Sequence, residues 1–415
     1  MAAELVRLGV TITLESPLAV VERRPAEQPE GLDFLPGARL RGALAEWLRT
    51  PDATKALLTE RALHELLDGP DAPRFLDAWP ATATEPLPAT AASCGDVPGF
   101  ATGRAGHGVF DTLIDRACWE ILSPAGLLYQ PRCPQAECDA LAAPYSGSYS
   151  VRAVGGRLVY ARGEAPRRRL AGAAVDPHRA TADQSAVYTV PVLSEAGPDP
   201  FEPASSWRAT VLHGEVVVRR AEHEALLRAA LPRIRQLGGG RSRGLGQVRI
   251  EVTTAPAGEP LSARLERFRV AFVRRRMQYA KLAPQSAAAL EGGYFSLDLR
   301  SDTLLRGDGW TSSVVLDAPT LQAALNVDDP SLALVRAYAA PAWRSGWHGG
   351  WALPRPPELG ARRGSCFLFR TADLARWETA LARLEAHGLG VRTTEGFGDV
   401  RVCDPFHLIL REQAV

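Results

Sequence analysis

Two glycine-rich segments carry the residue types best suited to contact an anionic backbone. The first runs Gly240-Arg-Ser-Arg-Gly244 and continues to Gly246. Glycines at this spacing let the chain turn with positive φ and bring its N–H groups close to a partner. The guanidinium groups of Arg241 and Arg243 suit phosphate oxygens or a neighbouring polypeptide. The same segment would also serve as a tight connection between a helix and a strand.

Known nucleotide-binding glycine motifs do not explain this segment. The sequence contains no G-x-x-x-x-G-K-[ST], and no lysine lies nearby. A dinucleotide-binding G-x-G-x-x-G follows a strand and opens a helix, whereas this segment follows a predicted helix and precedes a predicted strand. We therefore exclude an NTPase loop and a Rossmann fingerprint.

Four of the six cysteines fall within one stretch of 45 residues and suggest a metal site. Cys133 and Cys138 form a C-x4-C pair with a proline turn, which is within the range of a zinc knuckle, and Cys94 is the natural third ligand. The fourth ligand is His107 or Cys118. We favour His107 because Cys118 lies in an apolar run that suits a core. Such a zinc is structural, since four protein ligands leave no open position; the alternative is a set of unliganded thiols. Cys366 and Cys403 are expected to be small buried hydrophobes in strands.

Periodicity predicts the elements that must position these residues. A half-buried strand spans Val6–Leu14, and a helix with Leu40, Leu44, Trp47 and Leu48 on one face spans 35–48. Further strands are predicted at Val187–Leu193, Trp207–Val218, around Phe268–Phe272, at Phe295–Leu299 and at Cys366–Phe369. Helices are predicted over about 222–235 and around Leu374–Leu384.

An internal repeat organises these elements into two halves. Shifted by 152 residues, Gly244-Leu-Gly246-Gln-Val-Arg-Ile250 matches Gly396-Phe-Gly398-Asp-Val-Arg-Val402, each time after a helix. The pattern predicts an α+β protein with two ferredoxin-like units of the kind that RNA-recognition domains also use. The units would span 1–256, with a loop-rich insertion at about 80–170, and 262–412.

Composition excludes several classes of protein. The 415 residues carry 48 basic and 47 acidic side chains, a net charge of +1, so the chain is neither a highly basic coating protein nor an acidic tail protein. Apart from Lys55 and Lys281 the basic residues are arginines, which a G+C-rich genome explains, so only arginine position is informative. We expect a cytoplasmic protein without membrane contact, because no signal layout or membrane-length apolar stretch occurs and the cysteines form no disulfide framework.

Several motifs in order resemble those of the RAMP superfamily of CRISPR-associated proteins. The resemblance rests on the glycine segments, on Leu35-Pro-Gly-Ala-Arg-Leu-Arg-Gly42 and on four further stretches. These stretches are His107–Asp111, Val175–Ala182 with Val187-Tyr188 beyond, Gly346-Trp-His through Leu353-Pro354, and Gly396–His407. Within the superfamily the chain most resembles the Csx-ten family, the five-group subunit of type III-D effector complexes. The resemblance covers nearly the whole chain, from residue 4 to about 410.

That resemblance implies a non-catalytic subunit that holds the 5′ repeat-derived tag of a CRISPR RNA. Its implied protein partners are the large polymerase-like subunit and the backbone RAMP subunits, and DNA is not expected to be the main ligand. The implied RNA-binding residues are Arg39, Arg41, Arg179, Arg241, Ser242, Arg243 and Gly244. Arg179 falls where the family has a protruding hairpin against the guide RNA.

The second glycine segment departs from that pattern. Thr393, Thr394 and Glu395 stand in place of Arg-Ser-Arg, so only Arg392 is basic. Because a carboxylate beside phosphate is unfavourable, we expect this segment to be a subunit contact or purely structural.

Three other functions stay open at this point. Backbone subunits of the superfamily cut target RNA with an acidic residue before the first helix, and Asp33 lies in about that region, so a metal-dependent ribonuclease is the enzyme alternative. A processing endonuclease with a histidine base is less favoured, because the eight histidines show no constellation. A scaffold whose glycine segments bind only protein is the third.

Overall fold

A computed structural model describes residues 5–22, 30–50, 60–80, 84–101, 106–122, 128–176, 181–199, 201, 206–281, 292–307, 311–348 and 353–415. No helix in these ranges is long and apolar enough to cross a membrane.

The N-terminal half supplies seventeen strands and four helices within the described ranges. They are β1 (Val6–Leu14), β2 (Val21–Glu22), β3 (Glu30–Gly31), α1 (Gly37–Arg49), α2 (Glu60–Asp68), β4 (Arg74–Phe75), β5 (Trp79–Pro80), β6 (Thr84–Pro86), β7 (Ala91–Cys94), β8 (Val109–Asp111), α3 (Leu113–Leu122), β9 (Ala142–Pro144), β10 (Ser148–Val154), β11 (Arg157–Arg162), β12 (Arg167–Asp176), β13 (Thr181–Leu193), β14 (Ala196–Pro198), β15 (Trp207–Ala209), β16 (Val211–Val218), α4 (Ala221–Ala230) and β17 (Val248–Thr254).

The central sheet of this half has the order β17-β1-β16-β4, with every neighbour antiparallel. The predicted first strand is confirmed: alternate residues of β1 are buried, from Leu8 to Leu14. The predicted first helix is also confirmed, and α1 buries Leu40, Leu44 and Leu48 against the sheet. Its first N–H, on Gly37, donates to Asp77 Oδ1 at 3.0 Å, which satisfies one of the donors that a helix start leaves open.

The C-terminal half follows as α5 (Leu261–Ala280), β18 (Gly293–Leu299), β19 (Leu305–Gly307), β20 (Thr311–Ser313), α6 (Ala318–Leu325), β21 (Ala333–Tyr338), β22 (Pro341–His348), β23 (Leu353–Ala361), β24 (Cys366–Thr371), α7 (Ala375–His387) and β25 (Val400–Val402). Its sheet has the order β21-β24-β18-β25 and is again antiparallel. Counted along the chain, both sheets place their own fourth, first, third and second strands side by side. Cys366 and Cys403 are both buried, as expected, and Cys366 lies in β24. The expectation that Cys403 also lies in a strand is wrong, because it follows the end of β25 and has a left-handed φ of 51°.

The prediction of a strand around Phe268–Phe272 is wrong, because these residues lie in α5. Phe268 and Phe272 do alternate with arginines, but together with Leu261 and Leu265 they recur every three to four residues. That spacing forms one face of a helix, and Leu265, Phe268 and Phe272 are buried in the C-terminal core. The longer helical stripe outweighs the short alternation because it buries more apolar surface.

The segment from β6 to β15 lies outside the N-terminal sheet, which the chain rejoins at β16. This segment contains the stretch of about 80–170 that the sequence predicts as an insertion, and it is called the insertion below. Its helix α3 buries Leu113, Ile114 and Cys118 in the core of the C-terminal half, beside α5. A second small cluster joins Leu87, Val109 and Tyr149 to Phe406. The insertion therefore packs on the half of the chain to which it does not belong in sequence.

Candidate nucleic-acid interface and metal cluster

Glycines in the left-handed region set the backbone conformation of the first glycine loop. Gly240 and Gly244 have φ of 71° and 80° and flank a single 3-10 turn formed by Arg241–Arg243. Leu237 N donates to Gly246 O at 2.8 Å, and a Cβ on Gly246 would lie 1.9 Å from Leu237 O. Only glycine fits there, and the closed turn leaves Arg241 and Arg243 exposed at its tip.

The second glycine loop repeats this backbone 152 residues later. Gly396 and Gly398 have φ of 97° and 71°, and Leu389 N donates to Gly398 O at 2.9 Å. A Cβ on Gly398 would again lie 1.9 Å from a carbonyl, that of Leu389. The internal repeat seen in the sequence is thus also a repeat of backbone conformation.

The two loops differ in what surrounds them. A Cβ on Gly396 would lie 2.7 Å from Phe75 O, so the second loop packs directly on β4 of the N-terminal half. Arg392, left-handed at φ 60°, pairs with Glu358 at 2.9 Å and Glu395 at 2.8 Å and lies over the Phe397 ring. The second loop is therefore a structural contact between the halves, one of the two roles expected for it.

A cleft of about 1870 Å³ lies between α1, the first glycine loop, the ribbon β12–β13, the hairpin β22–β23 and the second glycine loop. The guanidinium-bearing residues that line it are Arg39, Arg41, Arg49, Arg241, Arg243, Arg344, Arg355 and Arg392, and the carboxylate-bearing ones are Glu46, Asp68, Asp77, Asp302 and Glu395. Burial raises the pKa of Asp77 to about 7, although the Gly37 N–H lowers it, so at neutral pH this carboxyl carries only part of its charge.

Charge is unevenly divided between the two ends of the cleft. At the end near β22–β23 each cleft arginine has a carboxylate partner: Arg344 pairs with Asp302 at 2.5 Å and Arg355 with Glu395 at 3.1 Å. At the end near the first glycine loop, three arginines have no carboxylate partner among the described residues. They are Arg39, Arg49 and Arg243. This end therefore carries net positive charge.

The predicted RNA-binding residues of α1 and the first loop all lie at this positive end. Arg241 contacts Glu46 at 2.8 Å, and both side chains are substantially exposed. Arg41 is mostly buried and pairs with Asp68 at 2.5 Å, while Arg39 reaches only the Val21 carbonyl at 3.4 Å. Ser242 and Gly244 are exposed beside them. Arg179 lies outside the described residues, between Asp176 and Thr181 in the sequence.

Asp33 forms an ion pair with an arginine that is distant in sequence. Arg363 Nη2 lies 3.1 Å from Asp33 Oδ1, and its guanidinium covers the stacked rings of Phe34 and Trp79 at 4.2 and 5.2 Å. In the part of the chain that the structure describes, the candidate metal-binding groups do not include Asp33. Sequence reasoning missed Arg363, which lies 330 positions away from its partner.

The four favoured metal ligands come together at one point of the insertion. The ligand atoms of Cys94, His107, Cys133 and Cys138 all lie within 4.8 Å of one another. Cys94 Sγ and Cys138 Sγ are 3.7 Å apart, and Cys133 Sγ is 3.4 Å from His107 Nδ1. A tetrahedral zinc with ordinary Zn–S and Zn–N bonds requires S···S and S···N edges of about 3.8 and 3.5 Å. The cluster could hold a metal of that size.

Backbone N–H groups also point at two of these sulfurs. Val97 N lies 3.4 Å from Cys94 Sγ, and Gln135 N lies 3.4 Å from Cys133 Sγ. Such donors stabilise a thiolate, the form that binds a metal. Cys118, the alternative ligand, is fully buried in α3 among apolar residues, and burial raises its pKa to about 12. Of the two alternatives, the structure brings His107 into the cluster.

A buried histidine outside both sites was also missed by the sequence reasoning. His407 Nε2 lies 2.7 Å from Asp298 Oδ1, and Nδ1 lies 3.0 Å from Asp111 Oδ1. Burial lowers the pKa of this ring, but the two carboxylates outweigh it and hold the pKa well above its ordinary value. The sequence does offer a way to find this histidine, because Asp111 and His407 are the last residues of two of the stretches on which the resemblance rests.

No protein-family model and no curated protein matches the chain. Among solved structures it is similar to a chain of the type III-B Cmr-beta complex bound to cognate target RNA and AMPPnP, with 10% identity and a TM-score of 0.40 over 91% of this chain and 88% of that one. It is similar to a Cas6 product complex with 11% identity and a TM-score of 0.35 over 96% of this chain and 100% of that one. A type IV-B CRISPR complex gives 16% identity and a TM-score of 0.25 over 61% and 93%.

Proposed function

We propose that this chain is a non-catalytic, RNA-binding subunit of a type III CRISPR effector complex. It would hold the 5′ repeat-derived tag of the CRISPR RNA and bridge the large subunit to the backbone subunits, as the resemblance to the Csx-ten family implies. The observation that carries the RNA-binding part is the exposed first glycine loop at the positive end of the cleft. The proposed ligand is an RNA backbone, because the arginines at this end of the cleft need a ligand that presents several phosphates in a row.

The proposed domains are two ferredoxin-like RAMP units over 1–256 and 262–412. Two observations support them: the shared strand order of the two sheets, and the repeated loop conformation at a spacing of 152 residues. In this proposal the two loops have diverged. The second loop packs on the N-terminal half, while the first loop stays exposed and can contact a ligand.

Phosphate binding at the first loop requires few internal contacts to be broken. Arg243 has no carboxylate partner among the described residues, and the Arg241–Glu46 pair is exposed. Exposed pairs of this kind contribute about 0–1 kcal/mol, so a phosphate can replace Glu46 at small cost. The more buried Arg41–Asp68 pair would stay in place and orient α1.

Salt-dependent RNA binding tests this proposal. We expect Arg241→Ala with Arg243→Ala to weaken binding of a fluorescein-labelled single-stranded RNA by about tenfold at moderate salt, and to lower the log–log salt slope by about 1.4, or 0.7 per lost phosphate contact. The matched control is Arg376→Ala with Arg383→Ala, which removes the same charge from an exposed face of α7 outside the cleft. Equal slopes in both double variants would contradict the proposal.

The role in the complex has its own test. In the assembled effector, a photoreactive group at the 5′ end of the CRISPR RNA should crosslink to this chain. Crosslinks to other subunits alone would contradict the tag-binding role.

The ribonuclease alternative predicts that Asp33→Ala abolishes target cleavage in an assembled complex. The Asp33–Arg363 contact leads us to expect unchanged cleavage.

The metal cluster is proposed to hold one structural zinc. A tetrahedral zinc would take all four of its ligands from Cys94, His107, Cys133 and Cys138, so it would have no open position for catalysis. Elemental analysis should find about one zinc per chain, lost in Cys133→Ser with Cys138→Ser and retained in Cys118→Ser. A folded protein without bound metal would contradict this proposal.

A further inference from the structure

One aromatic ring projects into the positive end of the cleft from the ribbon β12–β13. Tyr188 of β13 is paired in register with Gly172 of β12. A Cβ on Gly172 would lie 2.6 Å from Tyr188 Cζ and 2.8 Å from its hydroxyl oxygen. The ring therefore lies across the strand in the space that the glycine leaves, and a larger residue at position 172 would displace it.

The first glycine loop fixes the same ring from the other side. Arg243 Nη1 donates to Tyr188 Oη at 2.7 Å, and its guanidinium carbon lies 5.5 Å from the ring centroid. The hydrogen bond is made at the hydroxyl end of the ring. Two separate elements thus set the position of Tyr188, which is what a preorganised binding surface requires.

Tyr188 nevertheless stays 38% exposed, and it lines the cleft. Its neighbours on the same face of the ribbon, Leu170 and Val190, line the cleft as well. An apolar surface at the positive end, where Arg39, Arg49 and Arg243 lack carboxylate partners, has the two features that single-stranded nucleic acid needs. These are a flat ring for a base and guanidinium groups for the adjoining phosphates.

We propose that Tyr188 is a stacking platform for one base of the bound RNA, with Arg243 holding both the ring and the phosphate beside that base. This rests on the proposed function and adds the base contact to it. Stacking on a ring depends little on base identity, so the platform would fix the path of the strand rather than read its sequence. Tyr188 would separate a splayed base from its neighbours at the first glycine loop.

The probe is a ten-nucleotide single-stranded RNA that carries one 2-aminopurine, tested at each position with the full chain. Wild-type protein should quench the fluorescence at one or two adjacent positions, because stacking on tyrosine quenches the base. Tyr188→Leu should abolish that quenching and weaken binding about five- to tenfold, with the salt slope unchanged, because the ring contributes no charge. Tyr188→Phe keeps the ring and should bind within about twofold of wild type.

Trp207→Leu is the matched control, since Trp207 is an exposed aromatic residue outside the cleft. Absence of position-specific quenching by wild-type protein would overturn the platform without recourse to a variant. A fall in salt slope with Tyr188→Leu would also overturn it, because the ring would then act only by positioning Arg243. If Tyr188→Leu binds like wild type while the Arg241/Arg243 double variant binds weakly, the platform fails and the proposed function stands. If both bind like wild type, both fail.

Discussion

At the scale of single residues, some charged side chains are buried, where only a partner of opposite charge can compensate them. The clearest case is His407, which is completely buried between Asp111 of β8 and Asp298 of β18. Because the insertion supplies one carboxylate and the C-terminal sheet the other, the protonated ring joins two parts of the chain. Asp404 and Cys366 lie in the same buried region. Both ring nitrogens face carboxylates, so the ring forms two ion pairs and does not act as a metal ligand. We call His407 with Asp111 and Asp298 the His407 clamp.

This clamp gives a pH dependence with a definite sign. The pKa of His407 is higher in the folded protein than its ordinary value near 6.5, so the folded state keeps a proton that the unfolded state releases. The stabilisation is complete below about pH 6.5 and declines by about 1.4 kcal/mol per pH unit above it, until the folded pKa is reached. His407→Gln should cost about 3–5 kcal/mol at pH 6 by leaving buried carboxylates unpaired, and less at pH 8. Chemical denaturation at both pH values measures the difference, and parallel profiles would contradict the clamp.

At the scale of elements, the sequence predicts best where local physics decides the conformation. Alternation predicts β1, and the glycine pattern predicts both loops, because φ > 0 is a local demand. The spacing of Cys94, His107, Cys133 and Cys138 also predicts a cluster that the structure brings together. The alternation of Phe268, Val270 and Phe272 predicts a strand, but the longer stripe that includes Leu261 and Leu265 forms the helix α5.

Gly244 and Gly246 separate two reasons for glycine within one loop. Both have positive φ, near 80°, but a Cβ on Gly244 meets nothing within 4 Å, whereas one on Gly246 meets Leu237 O at 1.9 Å. Gly244→Ala should therefore cost only the backbone strain, about 1 kcal/mol. Gly246→Ala adds a collision with backbone and should cost several times more. Urea denaturation compares them, and equal losses would show that the close approach to Leu237 is not a constraint.

At the scale of the whole molecule, contacts distant in sequence set the cleft. Buried Arg74 of β4 donates to the Ala386 carbonyl at the end of α7 at 2.8 Å, and Gly396 packs on Phe75. Arg363 reaches Asp33 in the same way. The partners are more than 300 residues apart, so periodicity and spacing carry no information about them. The sequence therefore predicts both glycine loops but not the packing of the second loop on β4.

The loop that carries the cysteine–histidine cluster also contacts a segment that is distant in sequence. Residues 409–415 run beside β8: Asp111 N donates to Ile409 O at 2.7 Å, and Val109 N donates to Val415 O at 2.8 Å. Arg411 Nη1 lies 3.2 Å from the Cys133 carbonyl, so this segment touches the cluster loop directly.

Removal of the proposed zinc should therefore affect the chain beyond the insertion. We expect a chelator to increase amide exchange first at 133–138 and then at 409–415, and to lower the melting temperature of the whole chain, because metal binding contributes to folding free energy. Zinc added back should restore both. The variant Cys118→Ser should respond like wild type. Exchange confined to the loop around Cys133, with an unchanged melting temperature, would mean that the cluster stabilises only its own loop. A change that spreads to 409–415 and to the His407 clamp would show that a site in the insertion helps to hold the two halves around the cleft.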